Sequence, residues 1–244
     1  MTTLSVNLNK LALLRNSRGH NYPDLLLFAE RFIALGVKGI TIHPRPDERH
    51  IRRQDAYDLA AVLRKHPDVE FNIEGYPSSQ FLQLIAEVRP HQCTLVPDAD
   101  AQLTSDHGWD CEAHQSFLVE TVAGLKTLGV RAAVFLDPDP RQTDAAARTG
   151  ADRIELYTEA FARSYGTPTA AAEFQRYSDT ARAAREAGLG LNAGHDLNLR
   201  NLAQFLTIPG ILEVSIGHAL TVECIEQGMD KVVARYLAIC AAAT

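Results

Sequence analysis

The sequence predicts a (β/α)₈ barrel, and two observations lead there. The first is a recurrent unit. The segments ALGVKGITIH, TLGVRAAVFL, RTGADRIELY and EAGLGLNAGH each run from a helix end through a glycine into a short apolar strand. The glycines are Gly36, Gly129, Gly150 and Gly188. Glycine there suits a helix that ends in the left-handed conformation, which a Cβ disfavours. The second observation is the count. Eight candidate strands begin near Leu4, Gly39, Glu70, Cys93, Ala132, Arg153, Leu189 and Glu213. Their spacing of about 30 residues is that of a strand–helix–strand repeat, and 244 residues hold eight such units.

Each element has its own signal. The strands are short apolar runs bounded by polar residues, as in parallel sheets covered on both sides. Helical periodicity predicts helices over Asp24–Leu35, Gln54–Lys65, Ser79–Val88, Gln115–Leu128, Ala170–Ala187 and Asn198–Leu206, with a last one over Thr221–Ala242. A doubly wound open sheet uses the same alternation, but no G-x-G-x-x-G follows the first strand. No linker or low-complexity stretch divides the chain, so residues 1–244 are expected to form one domain. Two connections are long, Pro97–Cys111 and Tyr157–Thr169. Such segments serve as lids, binding loops or surface decoration.

Composition narrows the function. Hydrophobic residues make up 46% and charged residues 22%, as in an ordinary globular protein. Lys+Arg 24 against Asp+Glu 30 gives a net charge of −6. With no basic block, a nucleic-acid partner is not expected. No apolar run approaches a membrane span, and MTTLSVNLNK does not read as a signal peptide. Four scattered cysteines without C-x-x-C argue against a disulfide framework and fit a reducing cytoplasm.

Barrel chemistry sits at the C-terminal ends of the strands. The first strand ends at Asn7, the second at His43 followed by Arg45, and the third at Glu74. The sixth carries Glu155, the seventh passes Asn192 toward His195, and the eighth ends at Gly217-His218. Structural roles do not easily explain so many imidazoles and carboxyls on one rim. His43 and His195 are the leading candidates, since imidazole exchanges protons near neutral pH. Glu74 follows an apolar strand, where desolvation raises a carboxyl toward the general-base range. NAGHD and IGHAL offer small residues where barrels often bind phosphate. LRNSRG after the first strand carries two arginines that suit a second anion. His43, Glu74, His195 and His218 also allow a metal reading, though no H-E-x-x-H run supports it.

VNLNKLALLRNSRG, GITIHPRPDERHI, FNIEG, LVPD, LNAGHDL and SIGHAL, in this order, resemble the pyridoxine 5′-phosphate synthase family. The resemblance covers nearly the whole chain and implies a (β/α)₈ barrel with extra helices, assembled as an octamer of dimers. It implies condensation of 3-amino-2-oxopropyl phosphate with 1-deoxy-D-xylulose 5-phosphate, without metal or organic cofactor. It makes His43 and Glu74 proton acceptors and His195 a proton donor. Asn7, Arg18, Asp196, Gly217 and His218 then hold the aminoketone phosphate, and Arg45, His50 and Thr104 the sugar phosphate. The chain departs from the family at Asn9-Lys10, where members carry Asp-His near the sugar phosphate, and at Asp196, where members often carry Gly. Two other classes stay open on the residues alone. One is a metal-dependent phosphosugar aldolase or isomerase, and the other is a barrel that binds phosphorylated ligands without turnover.

Overall fold

The computed structural model describes residues 1–98 and 105–243. Eight parallel strands close into a barrel in the order of the sequence. They are β1 Thr3–Asn7, β2 Gly39–Ile42, β3 Glu70–Gly75, β4 Gln92–Leu95, β5 Arg131–Leu136, β6 Arg153–Tyr157, β7 Gly190–Gly194 and β8 Ile211–Ile216. The closing pair aligns Thr3 with Glu213 and Val6 with Ile216. The expected (β/α)₈ barrel is therefore the observed fold, and the open-sheet alternative falls. Each strand start lies within two residues of its predicted place.

Helices α1 Asn9–Asn16, α2 Leu25–Ala34, α3 Arg53–Leu63, α4 Ser79–Val88, α5 Gln115–Thr127, α6 Thr143–Arg148, α7 Glu159–Ser164, α8 Ala170–Glu186, α9 Leu202–Phe205, α10 His218–Gln227 and α11 Met229–Ala242 fill the gaps. Local chemistry sets their ends. Asp24 caps α2 by accepting the Leu26 and Leu27 N–H groups at 2.9 and 3.3 Å. Ser78 caps α4 through the Phe81 N–H. Gly36, Gly129, Gly150 and Gly188 all carry positive φ, as the recurrent unit requires.

Three expectations need correction. The last helix is two helices, broken at Gly228 with φ +90°. The helix expected over Asn198–Leu206 is only the four residues of α9, because Asn198 and Asn201 side chains bond nearby backbone instead. The Tyr157–Thr169 connection is not an irregular loop. It folds as α7 and buries Phe161 against Tyr177 and Phe205, with ring centroids 6.0 and 5.1 Å away. Burying a phenyl ring contributes about 1.5–3 kcal/mol, which a mobile loop would forgo.

The two faces of the sheet differ sharply. Outward residues such as Leu4, Val6, Ile40, Phe71, Ile73 and Val214 are buried beneath the helices. Inward residues are polar. Thr94 on β4 bonds Glu155 on β6 at 3.2 Å, and Gln92 bonds Glu213 on β8 at 3.4 Å. Ser215 on β8 bonds Glu74 on β3 at 3.4 Å, and Asn192 on β7 bonds Gln92 on β4 at 3.2 Å. Hydrogen bonds between non-neighbouring strands must cross the lumen, so the alternation of each strand sends polar side chains inward.

The far end of the Pro97–Cys111 connection is pinned to the barrel. Trp109 is buried, its indole N–H donates to the Leu95 carbonyl at 3.0 Å, and its backbone N–H donates to Phe135 at 2.9 Å. The close approach depends on Gly108, where a Cβ would lie 2.2 Å from the Asp137 nitrogen and 2.5 Å from Leu136 Cα. Backbone cannot yield as a side chain can, so Gly108→Ala should destabilise the protein by about 3 kcal/mol. Urea unfolding measures this, and an unchanged midpoint would contradict it.

Candidate active site

The site stands where the polar lumen opens at the C-terminal ends of the strands. The first turn of the chain builds one wall. The Leu8 N–H donates to Thr41 at 3.0 Å, and Asn9 Oδ1 accepts the His43 backbone N–H at 2.9 Å. Asn9 in turn donates its own N–H to Asn7 Oδ1 at 3.0 Å. Asn9 therefore fixes the end of β2 and the base of the His43 side chain.

Glu74 points into the lumen from the end of β3. It is 8% exposed. Ser215 Oγ donates to its Oε1 and Asn7 Nδ2 to its Oε2, both at a long 3.4 Å. These weak bonds do not offset lost hydration. Burial, then the carboxyls of Glu155, Glu213 and Asp98, push Glu74 well above the usual carboxylate range. This is the direction the sequence predicts. Glu155 behaves alike: burial first, then Glu213, push it up to about 8. Gly194 makes room for it, since a Cβ there would fall 2.1 Å from Glu155 Oε1.

His43 is 6% exposed, with Nδ1 3.8 Å from Glu74 Oε2 and Nε2 3.8 Å from Asp98 Oδ2. Burial holds its pKa well below the ordinary value, helped by Arg45, His50, His195 and Arg49. His195 is also lowered, first by burial and then by Lys10, against the opposing pull of Asp196 and Asp98. In both, burial shifts the balance toward the neutral ring relative to a solvated imidazole. His195 sits at φ +77°, a strained setting for a side chain of this size. Its ring lies edge-on to Tyr157 at 5.0 Å and against Phe135 at 5.4 Å.

Other candidates fall around this centre. Arg45 is buried and paired with Asp98, and both line a cleft with His43. His50 is partly buried rather than solvated, 6.3 Å from the His43 ring, and burial with Arg45 and Lys10 lowers it to about 4. Lys10 is exposed, and its charge reaches both His50 and His195. Gly217 precedes α10, and a Cβ there would come 3.1 Å from Asn7 Cβ. His218 opens that helix and is exposed. Backbone N–H groups at this helix start suit an anion. No helix begins directly after β7, so NAGHD offers a turn instead, with the exposed Asp196 giving its carbonyl to Asn201.

The LRNSRG arginines part ways. Arg15 is buried and holds Asp55 at 2.6 and 2.8 Å and the His50 carbonyl at 3.2 Å, which makes it structural. Arg18 is exposed beyond the end of α1, and its side chain makes no hydrogen bond to the cleft among the described residues. Thr104 lies outside the described residues. No three His, Cys, Asp or Glu side chains gather in metal-binding geometry among the described residues.

Sequence reasoning passed over Asp98 and Ser215. Ser215 shares the inward row of β8 with Glu213, and the two-residue period of EVSIG would have found it. Asp98 stands in LVPD past the end of β4, and only the fold brings it to Arg45.

Comparison with known proteins settles the family. The family model described as "Pyridoxal phosphate biosynthesis protein PdxJ" matches residues 4–242. The chain is 50% identical over 237 residues to the pyridoxine 5′-phosphate synthase of Bacteroides fragilis strain YCH46, covering 97% of this chain and 98% of that protein. It is 50% identical over 248 residues to the enzyme of the same name from Xanthomonas campestris pv. campestris, covering 98% and 96%. The chain belongs to this family. Solved structures share the barrel at low identity. The 3-hexulose-6-phosphate synthase of Salmonella typhimurium superposes with a TM-score of 0.68 at 15% identity over all of both chains. The phosphoribosyl anthranilate isomerase of Thermotoga maritima gives 0.63 at 12% over 99% of each. The family members match this chain from end to end, so the site described above lies wholly within the shared region. No helix of the described residues is long and apolar enough to cross a membrane.

Proposed function

We propose that the chain is a pyridoxine 5′-phosphate synthase. It condenses 3-amino-2-oxopropyl phosphate with 1-deoxy-D-xylulose 5-phosphate to pyridoxine 5′-phosphate, inorganic phosphate and water. The observation that carries this reading is the Glu74–His43 pair. Burial pushes the carboxyl up and the imidazole down from their ordinary values. The two groups stand 3.8 Å apart at the mouth of the lumen, where substrate protons have to be taken and returned. An amine that adds to a ketone, loses water and closes a ring needs repeated transfers of that kind and no redox step.

His43 and Glu74 take protons from the amine and from the carbon next to the carbonyl. His195, strained and held against Tyr157, returns one to a departing oxygen. Arg45, His50, Lys10 and Asn9, with Thr104, hold the sugar phosphate. Asn7, Gly217, His218 and the start of α10 hold the aminoketone phosphate, with Arg18 and Asp196 assigned there by family position. Fixing two substrates in register supplies much of the rate. The neighbouring helices α1 and α10 leave Leu13, Leu14, Val222 and Ile225 exposed, which supports self-association toward the octamer. Free thiols at Cys93, Cys111, Cys224 and Cys240 suit a cytoplasmic setting.

Mixing the two substrates with purified protein tests the reading. Pyridoxine 5′-phosphate and inorganic phosphate should form in equal amounts, followed by absorbance and by phosphate assay. Protein that releases neither refutes the assignment.

A further inference from the structure

Asp98 stands just past β4 with its side chain 5% exposed. Its Oδ2 accepts from Arg45 Nη2, and from Ser105 Oγ at 2.8 Å. These two bonds clamp the carboxylate in place. The same oxygen lies 3.8 Å from His43 Nε2. Its other oxygen, Oδ1, is buried and has no hydrogen-bond partner among the described residues. A carboxylate satisfied on one side only keeps a strong local field in a low-dielectric setting.

His43 is therefore flanked by two carboxyls, Glu74 on Nδ1 and Asp98 on Nε2. The other groups facing it are Arg45, Arg49, His50 and His195, and all four disfavour a second proton on the ring. Glu74 is itself pushed toward its neutral form, so it offers little counter-charge. Asp98 is the group left to balance an imidazolium.

We propose that Asp98 is a positioning residue for the condensation, supplying the counter-charge that steadies His43 while that imidazole carries a proton taken from substrate. The proposal rests on the function proposed above. A neutral imidazole has one N–H, whereas the protonated ring donates from both nitrogens. At 3.8 Å neither carboxyl is hydrogen-bonded to the ring. Protonation supplies the missing donor and draws the ring into the gap between them. The proton comes from the substrate amine or carbon acid and leaves to a departing hydroxyl, so no other reactant is required.

The test is Asp98→Asn, which keeps the shape and removes the charge. The variant should lose at least about tenfold in kcat, as for a weakened acid–base group, with KM for the aminoketone phosphate within about threefold of wild type. The acidic limb of the kcat profile should move to lower pH, because an imidazolium without its counter-charge gives up its proton more readily. A loss of packing alone would not move that limb. Should Asp98→Asn fail to fold, Ser105→Ala loosens the same carboxylate without removing it, and kcat should fall by about two- to tenfold with the limb moving the same way. Folded variants that keep wild-type kcat and an unmoved limb overturn the proposal. Wild-type protein that makes no pyridoxine 5′-phosphate removes the functional reading and this one together; active wild type matched by Asp98→Asn removes only this one.

Discussion

Replacing His43 with alanine should lower kcat by roughly 10²–10⁴-fold, the usual loss for a positioned acid–base group. The barrel should still form. The strand pairing of β2 ends at Ile42, and the bond that fixes this turn to Asn9 uses the His43 backbone N–H. Circular dichroism and steady-state kinetics on one preparation separate loss of chemistry from loss of fold. Glu74→Gln offers a sharper version. Its carboxyl is held above its ordinary range chiefly by burial, so its ionised form costs stability. The amide should therefore lose activity by a similar factor yet melt higher than wild type at pH 8, a trade of stability against activity. Near-wild-type kcat in either variant removes that residue from the mechanism.

Stability should fall as pH rises above about 6.5. Glu155 is pushed up to about 8 and Glu213 to about 7, each first by burial. A raised carboxyl favours the fold fully below its unfolded value near 4.5, and that contribution disappears as pH climbs through the folded value. The histidines act in the opposite direction over a different window. His43 and His195 are lowered, so their contribution is complete above the unfolded value near 6.5 and is lost only as pH drops toward their folded values. From pH 6.5 to about 8 the carboxyls act without that opposition, and above that the loss levels off. For Glu155 alone the rise from 4.5 to about 8 corresponds to a loss on the order of 3–5 kcal/mol. Thermal melts across this range should show a steady drop, and Glu155→Gln should flatten it. An alkaline limb as steep in the variant as in wild type would contradict the assignment.

The barrel was legible because its signals are local and repeated. A glycine after each helix and an apolar strand after each glycine need no knowledge of distant neighbours. Gly36, Gly129, Gly150 and Gly188 show this at positive φ. The rim residues were legible for a related reason, since the fold class dictates that strand ends converge. Asp98 was not legible as a partner. Nothing in LVPD says that its carboxyl meets an arginine 53 positions earlier in the chain, and only closure of the sheet sets that distance. The protonation behaviour of His43 was hidden for the same reason, because burial and neighbouring charge are properties of the assembled pocket. Arg15 and Arg18 show the limit of motif reading. Three residues apart in LRNSRG, one is locked onto Asp55 and the other lies in solvent.

The contrast between an oily outer wrapping and a polar lumen separates two jobs that most small proteins combine. Cohesion comes from contacts between strands and helices, while the interior is left for chemistry. A designer could exchange lumen side chains such as Ser5, Thr41 or Asn72 for others of like size without thinning the layer that keeps the chain folded. The scaffold can thus be retuned from the inside, one inward position at a time.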